Sequence, residues 1–232
     1  WLTPRQDRLF LDGPAPRRDF LDRLVFGLIP SHAEAVSRYK HHASKRLKLL
    51  AAQAAADWLE LEEEAAATAG IEVLRNRVWY LEQVAGHQTE TSLRLSGATL
   101  QVLEEADPVA ALQGKLERCR ERDALVGATH TGPQKVDVTG SLTLEEHAIP
   151  LPQTSSGQHK RALVQLVLAH VQLTVAHTGA APLVLIDEVA AHLDDARRRH
   201  VLQALTQLGA QVWVTETEVE RLGGIEAEVV RL

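Results

Sequence analysis

Leu183-Val184-Leu185-Ile186-Asp187-Glu188 places four consecutive aliphatic residues in front of two carboxylates. So short an apolar run reads as a strand buried on both faces, the kind found inside parallel sheets. Helices are expected over about 157–178 before it and 195–208 after it, with strands at 211–215 and 227–231. Helix and strand in alternation imply an α/β fold with a largely parallel sheet. Acids ending such a strand lie at the carboxyl edge of the sheet, where α/β folds bind ligands. In a nucleotide hydrolase the first acid helps to hold Mg2+ and the second polarises water for attack on the γ-phosphate. Apolar strands ending in acids are common, so the neighbouring segments decide what the pair means.

Two of them point the same way. Ser155, Ser156, Gly157 and Gln158 stand at the mouth of the preceding helix. A small, polar, glycine-containing turn presents N–H groups there and is suited to accept phosphate. Downstream, Leu193 and Asp194 precede the next helix. The order is thus polar glycine loop, helix, acid-ended strand, then an Asp loop.

The amino-terminal half is helical. Gly13, Pro14 and Pro16 mark a turn, and Pro30-Ser31 the end of one helix and the cap of the next. One long helix is expected over 31–69, its apolar seam running from Val36 and Tyr39 through Leu50 to Trp58, Leu61 and Ala65. Gly70 is expected to break it and begin the return arm of a helical hairpin, with Glu60, Glu62, Glu63 and Glu64 as a solvated acidic end near the tip. Arg38, His41, His42, Lys45 and Lys48 recur at helical spacing along one flank. That flank reads either as a solvated face or as a surface for the phosphates of DNA. A β-hairpin is expected from 92–95 and 99–103, a helix over 108–122, and short strands over 136–139 and 141–145.

Composition narrows the classes. With 232 residues, 45% hydrophobic and 4% aromatic, the chain can bury a core and leans towards helix packing. No run of 18 apolar residues and no signal-peptide pattern occurs, which argues against a membrane span and secretion. A lone cysteine, Cys119, excludes an internal disulfide and suits a reducing, cytoplasmic setting. The net charge of −6 hides an asymmetry of +5 over residues 1–50, −8 over 51–110 and −3 thereafter. Among eleven histidines no His-x-x-x-His spacing recurs beside carboxylates; His170 and His177, seven apart, share a helix face and read as satisfied or solvated histidines rather than ligands. A Ser-His-Asp hydrolase built on Ser155 or Ser156 lacks its strand-elbow motif. The chain starts at Trp1 and has no methionine, as expected of a piece of a longer protein.

These motifs resemble the ABC-type ATPase head, and more narrowly the RecF family of DNA replication and repair proteins. The resemblance runs over nearly the whole chain. Arg5-Gln-Asp-Arg-Leu-Phe-Leu-Asp-Gly and Arg17-Arg-Asp-Phe-Leu-Asp resemble the family's approach to its helical arm, and Thr129-His-Thr-Gly-Pro its Gly-Pro-His-Arg-Asp-Asp region. Ser155-Ser-Gly-Gln resembles the ABC signature loop, Asp187-Glu188 the Walker B acids, Leu193-Asp194 the D-loop and Val214-Thr215 the switch strand.

The resemblance implies a partial ABC-type ATPase head with an inserted α-helical arm: a head segment at 1–16, the arm at 17–124 and the later part of the head at 125–232. It implies an ATP-dependent homodimer in which Asp187 contacts Mg2+ through water and Glu188 positions the hydrolytic water. Ser155, Ser156, Gly157 and Gln158 would meet the γ-phosphate held by the other protomer, with Asp194 linking the sites and Thr215 on the switch strand. Gapped or single-stranded DNA, RecR and RecO are the implied partners, in loading RecA. Arg17, Arg18, Arg38, Lys45 and Lys48 are the candidate DNA contacts. The chain departs from the family where Gln134, Lys135, Val136 and Asp137 follow Gly132-Pro133, keeping only the last acid of that motif. It also contains no Gly-x-x-x-x-Gly-Lys-Ser/Thr, the backbone cradle and lysine for β- and γ-phosphates. The alternative is a non-catalytic module, without a P-loop, that binds DNA or a partner.

Overall fold

Pro14 and Pro16 open α1 (Pro14–Leu28), because a fixed φ and a missing N–H suit a first helical turn. The computed structural model describes residues 3, 6, 8–88, 90–145, 147–187, 195–215, 228 and 230. Two compact units divide the chain: residues 14–82 with 94–138, and residues 1–13 and 83–93 with 139–232.

In the first unit, the single helix expected over 31–69 is two, α2 (Ser31–Ala51) and α3 (Ala56–Ala85). The chain turns at 52–55, where Gln53 takes a φ of 49° and the N–H groups of Ala52, Gln53 and Ala54 donate back to the carbonyls of Lys48, Leu50 and Leu49. The alanine-rich run Ala51-Ala-Gln-Ala-Ala-Ala56 gives no sequence signal for the turn. Ser31 is not the cap either: Pro30 holds that position without a side-chain hydrogen bond. Gly70, expected at the turn, lies inside α3; a Cβ there would stand 3.0 Å from Leu112 Cδ2 and 3.3 Å from Tyr39 Cδ2, so the glycine admits close packing. Because the helix restarts after 55, the apolar seam loses phase, and Trp58 and Leu61 are exposed rather than buried.

The acidic run is corrected in the same way. Glu62 and Glu63 are buried, and Glu63 belongs to a charged network around Arg46, itself wholly enclosed. Arg46 donates from Nε to Glu63 Oε1 at 2.8 Å, from Nη1 to Asp123 Oδ2 at 2.7 Å, and from Nη2 to the Leu116 carbonyl at 2.6 Å. Arg120 Nη2 donates to Glu63 Oε2 at 2.5 Å, and Asp123 Oδ1 also accepts from the His130 backbone N–H at 3.0 Å. The helix expected over 108–122 is likewise two, α4 (Pro108–Arg118) and α5 (Arg120–Val126), broken at Cys119. Tyr39, Ala66, Leu74, Leu112, Leu116 and Val136 pack into one buried apolar cluster of this unit.

A second cluster joins α1 to α2 and α3. Asp22 accepts from Arg77 Nε at 2.7 Å and Nη2 at 2.8 Å, and its Oδ1 lies 3.0 Å from His32 Nε2. Burial pushes the Asp22 carboxyl up, but the hydrogen bonds from His32 and Arg77 outweigh it and hold it down at about 2.

The strand β1 (Thr91–Ser96) is present, but residues 98–104 form a 3-10 helix instead of its hairpin partner. The two strands expected over 136–145 are one, β2 (Asp137–Leu144), which pairs antiparallel with β3 (His147–Pro150), Ser141 opposite Pro150 and Leu144 opposite His147. The sheet order is β1-β2-β3. Gly140 sits within β2 because a Cβ there would lie 2.4 Å from the Ser92 carbonyl oxygen. In the second unit α6 (Ser156–Thr178), β4 (Leu183–Asp187), α7 (Asp195–Gln207) and β5 (Gln211–Thr215) follow the expected order. β4 and β5 are parallel, Leu183 opposite Gln211 and Asp187 opposite Thr215. The strand expected at 227–231 lies outside the described residues, apart from 228 and 230.

Two outcomes test this packing. Arg46→Leu leaves Glu63 and Asp123 buried without their shared cation and is expected to cost about 3 kcal/mol in urea unfolding. The lowered Asp22 carboxyl stabilises the fold above the ordinary carboxylate range; about 2 kcal/mol is lost as pH falls from near 4 to 2, and Asp22→Asn abolishes that part of the pH dependence.

Candidate functional site

The alternation along β4 sets the site. Val184 and Ile186 are buried, which turns Leu183, Leu185 and Asp187 to the opposite face. Parallel register brings Thr215 beside Asp187, and the Thr215 hydroxyl donates to Asp187 Oδ1 at 2.6 Å. The carboxylate is therefore exposed at the carboxyl edge of the parallel pair with one oxygen engaged. Trp213, across from Leu185, is exposed on the same face.

The polar loop caps α6. Ser155 is its N-cap, with a capping box: the Gln158 backbone N–H donates to Ser155 Oγ at 3.4 Å, and the Ser155 N–H to Gln158 Oε1 at 2.9 Å. Those bonds, with the His159 N–H on the Ser155 carbonyl at 2.8 Å, leave Ser156 and Gly157 as the first-turn N–H donors with no intrahelical acceptor. Both residues are exposed, and a Cβ on Gly157 would meet nothing within 4 Å, so the approach to these donors is open. Behind the loop Thr154 is buried, its hydroxyl donating to the Leu151 carbonyl at 2.6 Å. Such a helix mouth accepts an anionic group. Glu188, Leu193 and Asp194 lie outside the described residues.

Among the cations singled out as DNA contacts, most have partners within the chain. Arg17 makes a two-pronged pair with Asp137, Nε to Oδ1 at 2.9 Å and Nη2 to Oδ2 at 2.8 Å. Asp137 is the one acid kept from the altered loop, so here it serves this pair. Arg18 reaches the Val136 carbonyl at 3.3 Å, Arg38 holds Glu72 at 2.6 Å, and Lys45 and His42 both hold Glu62. Lys48 is exposed. Sequence reasoning passed over Lys40, four and eight positions before Ser44 and Lys48; all three are exposed on one face of α2. The signal was their spacing, hidden behind the denser row at 38, 41, 42 and 45. No cluster of three or more His, Cys, Asp or Glu is placed to hold a metal among the described residues. Nor does any helix among them have the length and apolarity to cross a membrane.

Compared with known proteins, the chain is 32% identical over its whole length to the DNA replication and repair protein RecF of Rickettsia bellii (strain OSU 85-389), of which it covers 67%. The chain belongs to the RecF family. The RecF protein of Rickettsia akari (strain Hartford) is likewise 32% identical over the whole chain, with 67% of its length covered. No family model matches. Among solved structures, the recombination mediator protein RecF-ATPrS in the RecFOR pathway superposes with a TM-score of 0.79 at 22% identity, over 96% of this chain and 63% of that one. The RecF-ATP structure gives 0.76 at 23%, over 94% and 63%. The fold is a partial ABC-type ATPase head with an α-helical arm, and the chain spans about two thirds of its RecF relatives.

Stability measurements separate the two site elements. Asp187→Asn perturbs only an exposed hydrogen bond and is expected to cost under about 1 kcal/mol in urea unfolding. Ser155→Ala removes the cap and is expected to cost about 1 kcal/mol in the same assay.

Proposed function

We propose that this chain is the arm and later head of a RecF-type ATPase acting in DNA replication and repair. The observation that carries this reading is the Asp187–Thr215 pair at the carboxyl edge of β4 and β5, following a capped signature-like loop, in a chain 32% identical to RecF along its whole length. The two solved relatives, RecF-ATP and RecF-ATPrS, support ATP as the nucleotide.

The residues present fit part of an ATP site. Asp187 keeps one carboxylate oxygen for a water on Mg2+, and the open N–H groups of Ser156 and Gly157 suit a phosphate. In this reading Ser155 and Gln158 hold that loop rigid through their reciprocal bonds, Glu188 orients the attacking water, Asp194 links the paired sites, and Thr215 fixes the Asp187 carboxylate. Mg-ATP supplies the transferable γ-phosphoryl group and the charge that draws two heads together. The β- and γ-phosphate cradle does not fit any segment of this sequence. The exposed face of Leu183, Leu185 and Trp213 supports a segment carrying that cradle lying over it, since parallel sheets are covered on both faces. Residues 17–124 form the arm and 125–232 the later head; gapped DNA, RecR and RecO are the partners, recombinase loading the outcome.

In the complete protein, Glu188→Gln is expected to retain ATP binding while abolishing turnover, so that an ATP-bound dimer accumulates in sedimentation. Unchanged turnover would overturn the role given to Glu188.

The exposed Lys40, Ser44 and Lys48 favour a second reading, in which the arm meets the phosphate backbone without nucleotide dependence. Lys40→Ala with Lys48→Ala is expected to reduce the slope of log affinity against log salt by about 2 for duplex DNA. A slope equal to the parent's would remove α2 from the DNA interface.

A further inference from the structure

The tip of the arm carries a surface of the opposite character. At the start of α3, Trp58 is 60% exposed and Leu61 is 55% exposed, one helical turn apart. Helical spacing puts the exposed Asp57, Glu60 and Glu64 along one border of this apolar pair. Among the described residues these three carboxylates form no salt bridge, and Glu60 acts on Arg120 only through its charge. The residues directly behind them, Leu59, Glu62 and Glu63, are buried, and Glu63 is locked to Arg46 and Arg120. The patch is therefore mounted on a fixed helix and does not depend on a pliable loop.

We infer that the Trp58–Leu61 face is a docking surface for a basic protein partner that offers an apolar cleft. A tryptophan left in water beside a leucine is a costly arrangement for the free chain and a frequent anchor in interfaces. The exposed charges along this border of α3 are all negative, which repels nucleic-acid phosphates there and selects a cationic rim on the partner. A second copy docked through the same face is disfavoured because it would set Asp57, Glu60 and Glu64 against their own counterparts. This surface is independent of the nucleotide reading, since it lies on the arm and uses none of the site residues.

The test uses the full chain and an amphipathic helical peptide of lysine and leucine as probe, followed by fluorescence anisotropy of the labelled peptide. Saturable binding is expected, weakened about tenfold or more by Trp58→Ala with Leu61→Ala, and to a similar extent by Glu60→Lys with Glu64→Lys. A lysine–glutamine peptide of equal charge is expected to bind at least about tenfold more weakly. Binding of the lysine–leucine peptide that neither double variant weakens would overturn the inference, as would equal binding of the two peptides. A concentration-dependent dimer lost in Trp58→Ala would overturn it in favour of a second copy, and DNA binding lost in Trp58→Ala in favour of nucleic acid. All four positions are exposed, so the variants are expected to unfold at the parent's urea midpoint.

Discussion

A wholly buried guanidinium sets the register of the arm. Arg46 reaches Glu63 on α3, Asp123 on α5 and the Leu116 carbonyl in the last turn of α4, so one side chain fixes three helices against α2. Replacing such a set by apolar residues of equal volume can be neutral, whereas removing one member strands the others as buried charge. Its value here is therefore geometric. With the register fixed, α2 turns Lys40, Ser44 and Lys48 outward, and α3 turns Trp58 and Leu61 outward. One border of the arm is left cationic and its tip acidic and apolar, so a polyanion and a basic protein would meet different surfaces.

The head unit rests on a different constraint. Two parallel strands bury Val184 and Ile186 on one face and leave Leu183, Leu185 and Trp213 open on the other. The same alternation that exposes this apolar face also carries Asp187 to the edge, within reach of Thr215. Covering the face and completing the site are thus one event in the proposed scheme: whatever packs on Leu185 and Trp213 arrives next to Asp187. The capped mouth of α6 contributes its part through backbone N–H groups, so its donors are fixed by helix geometry and not by side-chain rotamers.

The order of elements from 156 to 215 was legible because each is dictated locally: four aliphatic residues in a row for β4, a small polar loop at the mouth of α6, and the apolar run Val212-Trp213-Val214 for β5. The arm was harder to read. Nothing in Ala51 to Ala56 marks a helix end, since alanine is the best helix former and the turn is imposed by the packing on either side. A misplaced turn then shifted the phase of everything after it, which is why Trp58 and Leu61 were expected inside and Glu63 outside. Gly70 misled for a related reason: the missing side chain serves the approach of Leu112 and Tyr39, a contact distant in sequence. Among the candidate site residues, Asp187, Thr215 and the Ser155–Gln158 loop could be found from their place at element ends. The partners of Arg17, Arg38 and Lys45 could not, because Asp137, Glu72 and Glu62 are brought to them by the fold.

The central claim is that these residues supply only part of a nucleotide site, the remainder being a phosphate cradle that this sequence does not encode. Calorimetric titration of Mg-ATP into this chain alone, and into the same chain joined to an amino-terminal P-loop segment from a RecF relative, tests it directly. The account predicts no measurable binding by the chain alone and saturable binding by the joined protein. Tight Mg-ATP binding by the 232-residue chain alone would contradict it.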